Sequence, residues 1–150
     1  MGQILYRNLV PSKKTASESI IADFDLALRH DQFLNPAYAY SDLVGTPKYN
    51  APEVLDKTLN TSQFDSFILA DIYSASLVLW EIVNRTTDNV MEFSPPPASL
   101  PYENILPPPT EKTNQEKVKE LKPIVVDRNC RPEFTNYARK YRQLPYRPSG

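Results

Sequence analysis

The densest run of apolar residues along the chain lies between Phe67 and Val83. Asp65-Ser66 precedes it as a helix start, and Ile68, Leu69, Ile72, Tyr73, Ala75, Ser76, Leu79, Trp80, Ile82 and Val83 occupy nearly every face, which predicts a helix in the middle of a core. The run contains Asp71 and Glu81 and is short for a bilayer, so no membrane span is expected. Upstream, Ile4-Leu5-Tyr6 and Ser19-Ile20-Ile21-Ala22 read as short strands about a polar loop, Pro11 to Glu18, and predict a small ribbon. From Asp23 to Pro52 turn formers and aromatics prevail and no helical period persists, which predicts a long irregular loop of the kind that carries function in compact domains. After Arg85, Pro95-Pro96-Pro97, Pro101 and Pro107-Pro108-Pro109 prohibit regular helix and predict extended, solvated connections. A second helix is expected over Glu111 to Leu121, broken by Pro123. The basic, tyrosine-rich stretch from Thr135 to Gly150 has no apolar face to bury and is expected to be disordered.

Composition narrows the function classes. A chain of 150 residues with 41% hydrophobic positions can bury one core. Its 17 basic and 18 acidic residues nearly cancel, so no nucleic-acid partner and no polybasic membrane surface are expected. One cysteine, Cys130, excludes an internal disulfide, and with a single histidine, His30, leaves too few soft ligands for a zinc site. Only three glycines occur, Gly2, Gly45 and Gly150. A glycine-rich loop whose amides approach phosphate oxygens closely cannot be built from them. Residues Met1 to Tyr6 have neither a charged start nor a useful apolar stretch, so no signal peptide is expected.

Three landmarks in order carry a resemblance. They are Ile21-Ala22-Asp23-Phe24-Asp25-Leu26-Ala27, then Val44-Gly45-Thr46-Pro47-Lys48-Tyr49-Asn50-Ala51-Pro52-Glu53-Val54-Leu55, then Ala70-Asp71-Ile72-Tyr73-Ser74 with Leu79-Trp80-Glu81. They resemble the metal-binding Asp-Phe-Gly segment, the Ala-Pro-Glu end of the activation loop and the central helix of the lower lobe of protein kinases. Leu28-Arg29-His30-Asp31, Pro52-Glu53-Val54-Leu55-Asp56 and Leu100-Pro101-Tyr102-Glu103 are similar to type I receptors of the transforming-growth-factor-β receptor family more than to type II. Asn129-Cys130-Arg131-Pro132-Glu133 is similar to the Arg-Pro element after that family's proline-containing insert. The resemblance implies an α+β, protein-kinase-like family fold, of which this chain is a mainly α lower-lobe segment with a short β-ribbon and long loops. Residues 1–134 form the partial lobe and 135–150 the basic tail.

What the resemblance implies for the site follows residue by residue. ATP and magnesium are the family's cofactors, and the positions that would hold them here are Asn8 and Asp23, with Asp23 the metal ligand. Asp25 stands where the motif has glycine, which places a second carboxylate and a Cβ beside that ligand. Glu53 and Arg131 match a structural ion pair that pins the activation segment to the lower lobe. Asp71 matches a structural carboxylate that accepts backbone hydrogen bonds from the catalytic loop.

The catalytic loop fits in two ways. Tyr6-Arg7-Asn8 is a degenerate His-Arg-Asp with Val10 and Lys13 at the loop's Lys and Asn positions, or Asn8-Leu9-Val10 is the loop's closing Asn and the next strand. The second fits the distance to Asp23 better. Neither supplies a catalytic Asp, so the resemblance assigns no catalytic residue and the chain alone is expected to bind no cofactor detectably. The family places such a lobe on the cytoplasmic side of the plasma membrane, and a receptor-family or signalling protein is the expected partner. The expected role is an inactive segment of a receptor serine/threonine kinase serving as an interaction module; an incomplete record of an active kinase and a non-functional truncated product are the alternatives.

Overall fold

Around a single long helix, short turns from both sides of the sequence assemble the core. The computed structural model describes the backbone of residues 9–11 and 19–21, and residues 27–34, 45–85, 97, 99–108 and 110–134 in full. Leu9–Pro11 (β1) pairs antiparallel with Ser19–Ile21 (β2), with Leu9 opposite Ile21 and Pro11 opposite Ser19. The first strand thus begins at Leu9. Ile4-Leu5-Tyr6, read as strand from the sequence, lies outside the described residues, as does most of Pro11 to Glu18.

Within the stretch expected to be irregular, His30–Phe33 forms a single helical turn, α1. Its rings hold it in place: His30 meets Phe64 edge-on at 5.0 Å, and Phe33 meets Phe64 at 5.5 Å and Phe67 at 6.0 Å. Gly45, at φ 115°, turns the chain where a Cβ would clash. A 3₁₀ turn, Pro47–Tyr49, follows, and then Pro52–Leu55 (α2), where the proline takes the first helical position and forfeits no bonded amide.

The long helix, α3, runs Phe64–Arg85 over 22 residues. One side buries Phe67, Ala70, Ser74, Leu77 and Val78. On the other side Ile68, Leu69, Ile72, Leu79, Ile82 and Val83 stay 42–62% exposed. Among the described residues, the turns and short helices that pack on α3 reach one face of it.

The proline-bounded insert is also corrected. Leu100 to Leu106 is not extended: Glu103 N donates to Leu100 O at 3.1 Å and Leu106 N to Tyr102 O at 3.0 Å. Pro101 and Tyr102 are fully buried, with Tyr102 in the left-handed region at φ 64°. The second helix, α4, runs Asn114–Lys122, starting later than Glu111 because Thr113 and Glu116 form a reciprocal cap. Pro123 does not end the helical path; Pro123–Asp127 continues it as a wide π-helical turn, which accommodates the amide that proline lacks. The core gathers Tyr49, Leu55, Leu77, Val78, Tyr102, Leu121, Ile124 and Val125 from the 3₁₀ turn, α2, α3, the insert, α4 and the π-turn.

Candidate functional site

Tyr49 joins the end of the long loop to α3. Its hydroxyl donates to Glu81 Oε1 at 2.5 Å, and its carbonyl accepts from Ser74 Oγ at 2.8 Å. Burial raises the Glu81 carboxyl above its ordinary range, and the hydrogen bond from Tyr49 works against that rise. This lock fixes Thr46-Pro47-Lys48 as one wall of a groove of about 330 Å³. Leu100, Glu103, Leu106, Pro107 and Pro108 of the insert form a second wall, and Lys117, Glu120 and Leu121 of α4 a third.

The groove is mainly apolar with charges at its edge. Lys112 is paired with Glu120, and Glu103 Oε2 accepts from Leu100 N at 2.8 Å. Lys48 and Lys117 carry no ion pair among the described residues. Three lysines against two glutamates leave the rim with one net positive charge, which suits an apolar ligand carrying a carboxylate or other anion.

Beside it, Tyr73 and Tyr102 share a hydroxyl–hydroxyl bond of 2.7 Å, and the Arg131 guanidinium lies 5.3 Å above the Tyr73 ring centre. Burial drives both phenols above their ordinary range. The insert, α3 and the segment after the π-turn therefore meet at one polar contact inside the core.

Of the residues singled out from the sequence, Glu53 and Arg131 are both near Tyr73, whose titration each influences. The expected direct ion pair between them is corrected: among the described residues none joins them. Arg131 donates through Nη1 to Val125 O, within the π-turn, at 2.9 Å and to Cys130 O, beyond it, at 2.8 Å. Asp71 is half-buried on α3, with Oδ1 buried and without a hydrogen-bond partner among the described residues, and burial raises its carboxyl above the ordinary range. Asn50 is 2% exposed, and both polar atoms of its side chain are likewise unpartnered.

Asn8, Asp23 and Asp25, the positions for ATP and magnesium, lie outside the described residues. Among the described residues no group of histidine, cysteine, aspartate and glutamate side chains is arranged to hold a metal ion. Sequence reading missed the Tyr49–Glu81 lock and the groove. Residues 32 positions apart leave no local signal of a bond, and Tyr102 stands among prolines where no period marks it as core.

The chain is similar to known proteins over most of its length. Human activin receptor type-1B is 38% identical over 125 residues, which cover 83% of this chain and 23% of that protein. Human activin receptor type-1C is 37% identical over 126 residues, covering 82% and 23%. Human TGF-beta receptor type-1 is 37% identical over 117 residues, covering 77% and 22%. No protein-family model matches the chain. The chain belongs to the transforming-growth-factor-β/activin receptor family of serine/threonine kinases, on its type I side, and its fold is accordingly protein-kinase-like. It spans less than a quarter of the length of these curated relatives.

By length and composition α3 is a helix that can cross a bilayer. Its polar side is committed to the core, with Glu81 bonded to Tyr49 and Ser74 to the Tyr49 carbonyl.

Proposed function

We propose that this chain is a lower-lobe segment of a receptor serine/threonine kinase that, by itself, binds a signalling protein and transfers no phosphate. The carrying observation is the groove between Thr46-Pro47-Lys48, the insert and α4. Its walls belong to the segments that the family resemblance places at the end of the activation loop and in the insert. Two parts of the catalytic machinery have no counterpart in this sequence: one interior glycine, Gly45, cannot form a phosphate loop, and neither alignment of the catalytic loop supplies a proton-accepting carboxylate. In this reading the chain is cytoplasmic, and its partner is a receptor-family or signalling protein with an apolar, acidic segment.

The test is binding of the isolated chain to the purified cytoplasmic region of human activin receptor type-1B, by fluorescence anisotropy. Saturable binding is expected, weakened at least tenfold in Lys48→Glu/Lys117→Glu. Binding untouched by that double substitution contradicts the groove. Neither ATP nor ATP with magnesium is expected to raise the melting temperature, since stabilisation requires a site that the folded state presents.

The 23% coverage of the relatives favours a second reading, in which the chain is part of an active type I receptor kinase whose catalytic parts lie elsewhere in a longer product. An in-frame transcript upstream of Met1 that encodes a glycine loop and a His-Arg-Asp supports that reading.

A further inference from the structure

The groove beside the Tyr49–Glu81 lock combines an apolar lining with two uncommitted cations. Lys48 stands on its first wall and Lys117 on its third, both half-buried, and among the described residues neither enters an ion pair. Side chains of this kind lay their stems along apolar surface and keep the ammonium in water. Lys112 is taken up by Glu120, and Glu103 accepts from Leu100 N. Below these charges the lining is Pro47, Leu100, Leu106, Pro107, Pro108 and Leu121. Three of the six are prolines, whose nitrogens have no hydrogen to give a polar ligand atom. The interior therefore accepts hydrocarbon and the rim accepts an anion.

We propose that the groove is a binding site for a free medium-chain fatty carboxylate, which enters tail first and leaves its head at the lysine rim. Charge selects the head. One carboxylate cancels the single positive charge left by three lysines and two glutamates, whereas a phosphate monoester, at about two negative charges, overshoots it. Volume selects the tail. With a methylene taken at roughly the 30 Å³ of a liquid water, a groove of about 330 Å³ holds some ten or eleven carbons. The ligand takes the place of the partner's apolar, acidic segment and so competes with it; the competition rests on the proposed function, and carboxylate binding itself does not.

Calorimetric titration of the full 150-residue chain with the sodium salts of hexanoic to tetradecanoic acid, each below its micelle concentration, tests the site. One site per chain is expected, with affinity rising up to about fourfold for each added methylene. The rise is expected to level off beyond about eleven carbons, where the tail outgrows the groove. Octanol, which has the same tail and no charge, is expected to bind about tenfold more weakly than octanoate. Lys48→Gln/Lys117→Gln is expected to bring octanoate down to the level of octanol with the circular dichroism unchanged, because both side chains end at the rim.

Affinity that climbs without a plateau through tetradecanoate, several equivalent sites, or equal binding of octanol and octanoate assigns the uptake to apolar surface in general and overturns the proposal. Octanoate binding untouched by the double substitution places the site elsewhere and overturns it too. In the anisotropy assay, decanoate is expected to displace the cytoplasmic region of human activin receptor type-1B. If decanoate binds as described and the receptor region does not bind, the proposed function fails and the carboxylate site stands. If the receptor region binds through the two lysines and no carboxylate does, the carboxylate site alone fails.

Discussion

Asp71 and Tyr49 show how single side chains set the balance on α3. Asp71 Oδ1 is buried without a partner among the described residues, and burial raises its carboxyl above the ordinary range. A raised acid pKa means the folded state holds its proton more tightly than the unfolded chain does. Stability therefore falls as pH rises from the ordinary carboxylate value to the folded one, and the loss is complete above the folded value. Asp71→Asn is accordingly expected to stabilise the chain at neutral pH by roughly 1 kcal/mol, at the low end for relieving an unmatched acceptor. Urea unfolding should show that gain shrinking as pH drops through the carboxylate range; a gain that is the same at all pH values would place the cause elsewhere. Tyr49→Phe acts oppositely. It leaves Glu81 part-buried without its donor and is expected to cost about 1–2 kcal/mol, most of which Glu81→Gln in the same chain should restore.

At the scale of elements, the start of α4 is set by the Thr113–Glu116 cap, in which Thr113 Oγ1 accepts from Glu116 N at 3.3 Å and Glu116 Oε2 accepts from Thr113 N at 2.8 Å. Thr113→Ala is expected to lose about 1 kcal/mol and to speed amide exchange in the first turn of α4 while α3 is unchanged. Equal loss of protection in both helices would mean that α4 does not open independently. The long helix was legible in the sequence because its signal is local, an apolar run opened by Asp65; the second was legible over Glu111 to Leu121, but the Thr113–Glu116 cap that sets its start was not read. The single turn His30–Phe33 was not, since its stability comes from ring contacts with Phe64 and Phe67 more than thirty residues on. Pro123 misled in the same way. A proline argues against an α-helical hydrogen bond, and the chain answers with a π-turn, closed by Arg128 N donating to Pro123 O at 3.2 Å.

At the scale of the molecule, the described residues build one core against one face of α3. The core around Tyr49, Tyr102 and Leu121 fixes the groove, while Ile68, Leu69, Ile72, Leu79, Ile82 and Val83 on the other face of α3 are exposed. The family was legible because its motifs are short and ordered along the chain. A motif fixes which residues stand near each other and leaves open which acceptor takes the Arg131 guanidinium, here the Val125 and Cys130 carbonyls. The central claim, a lobe segment that binds but does not transfer phosphate, is tested most directly by incubating the isolated chain with radiolabelled ATP, magnesium and a casein-type substrate. No label above the protein-free blank, on the substrate or on the chain, is the expected result; label transfer that disappears in Asp23→Ala would contradict it.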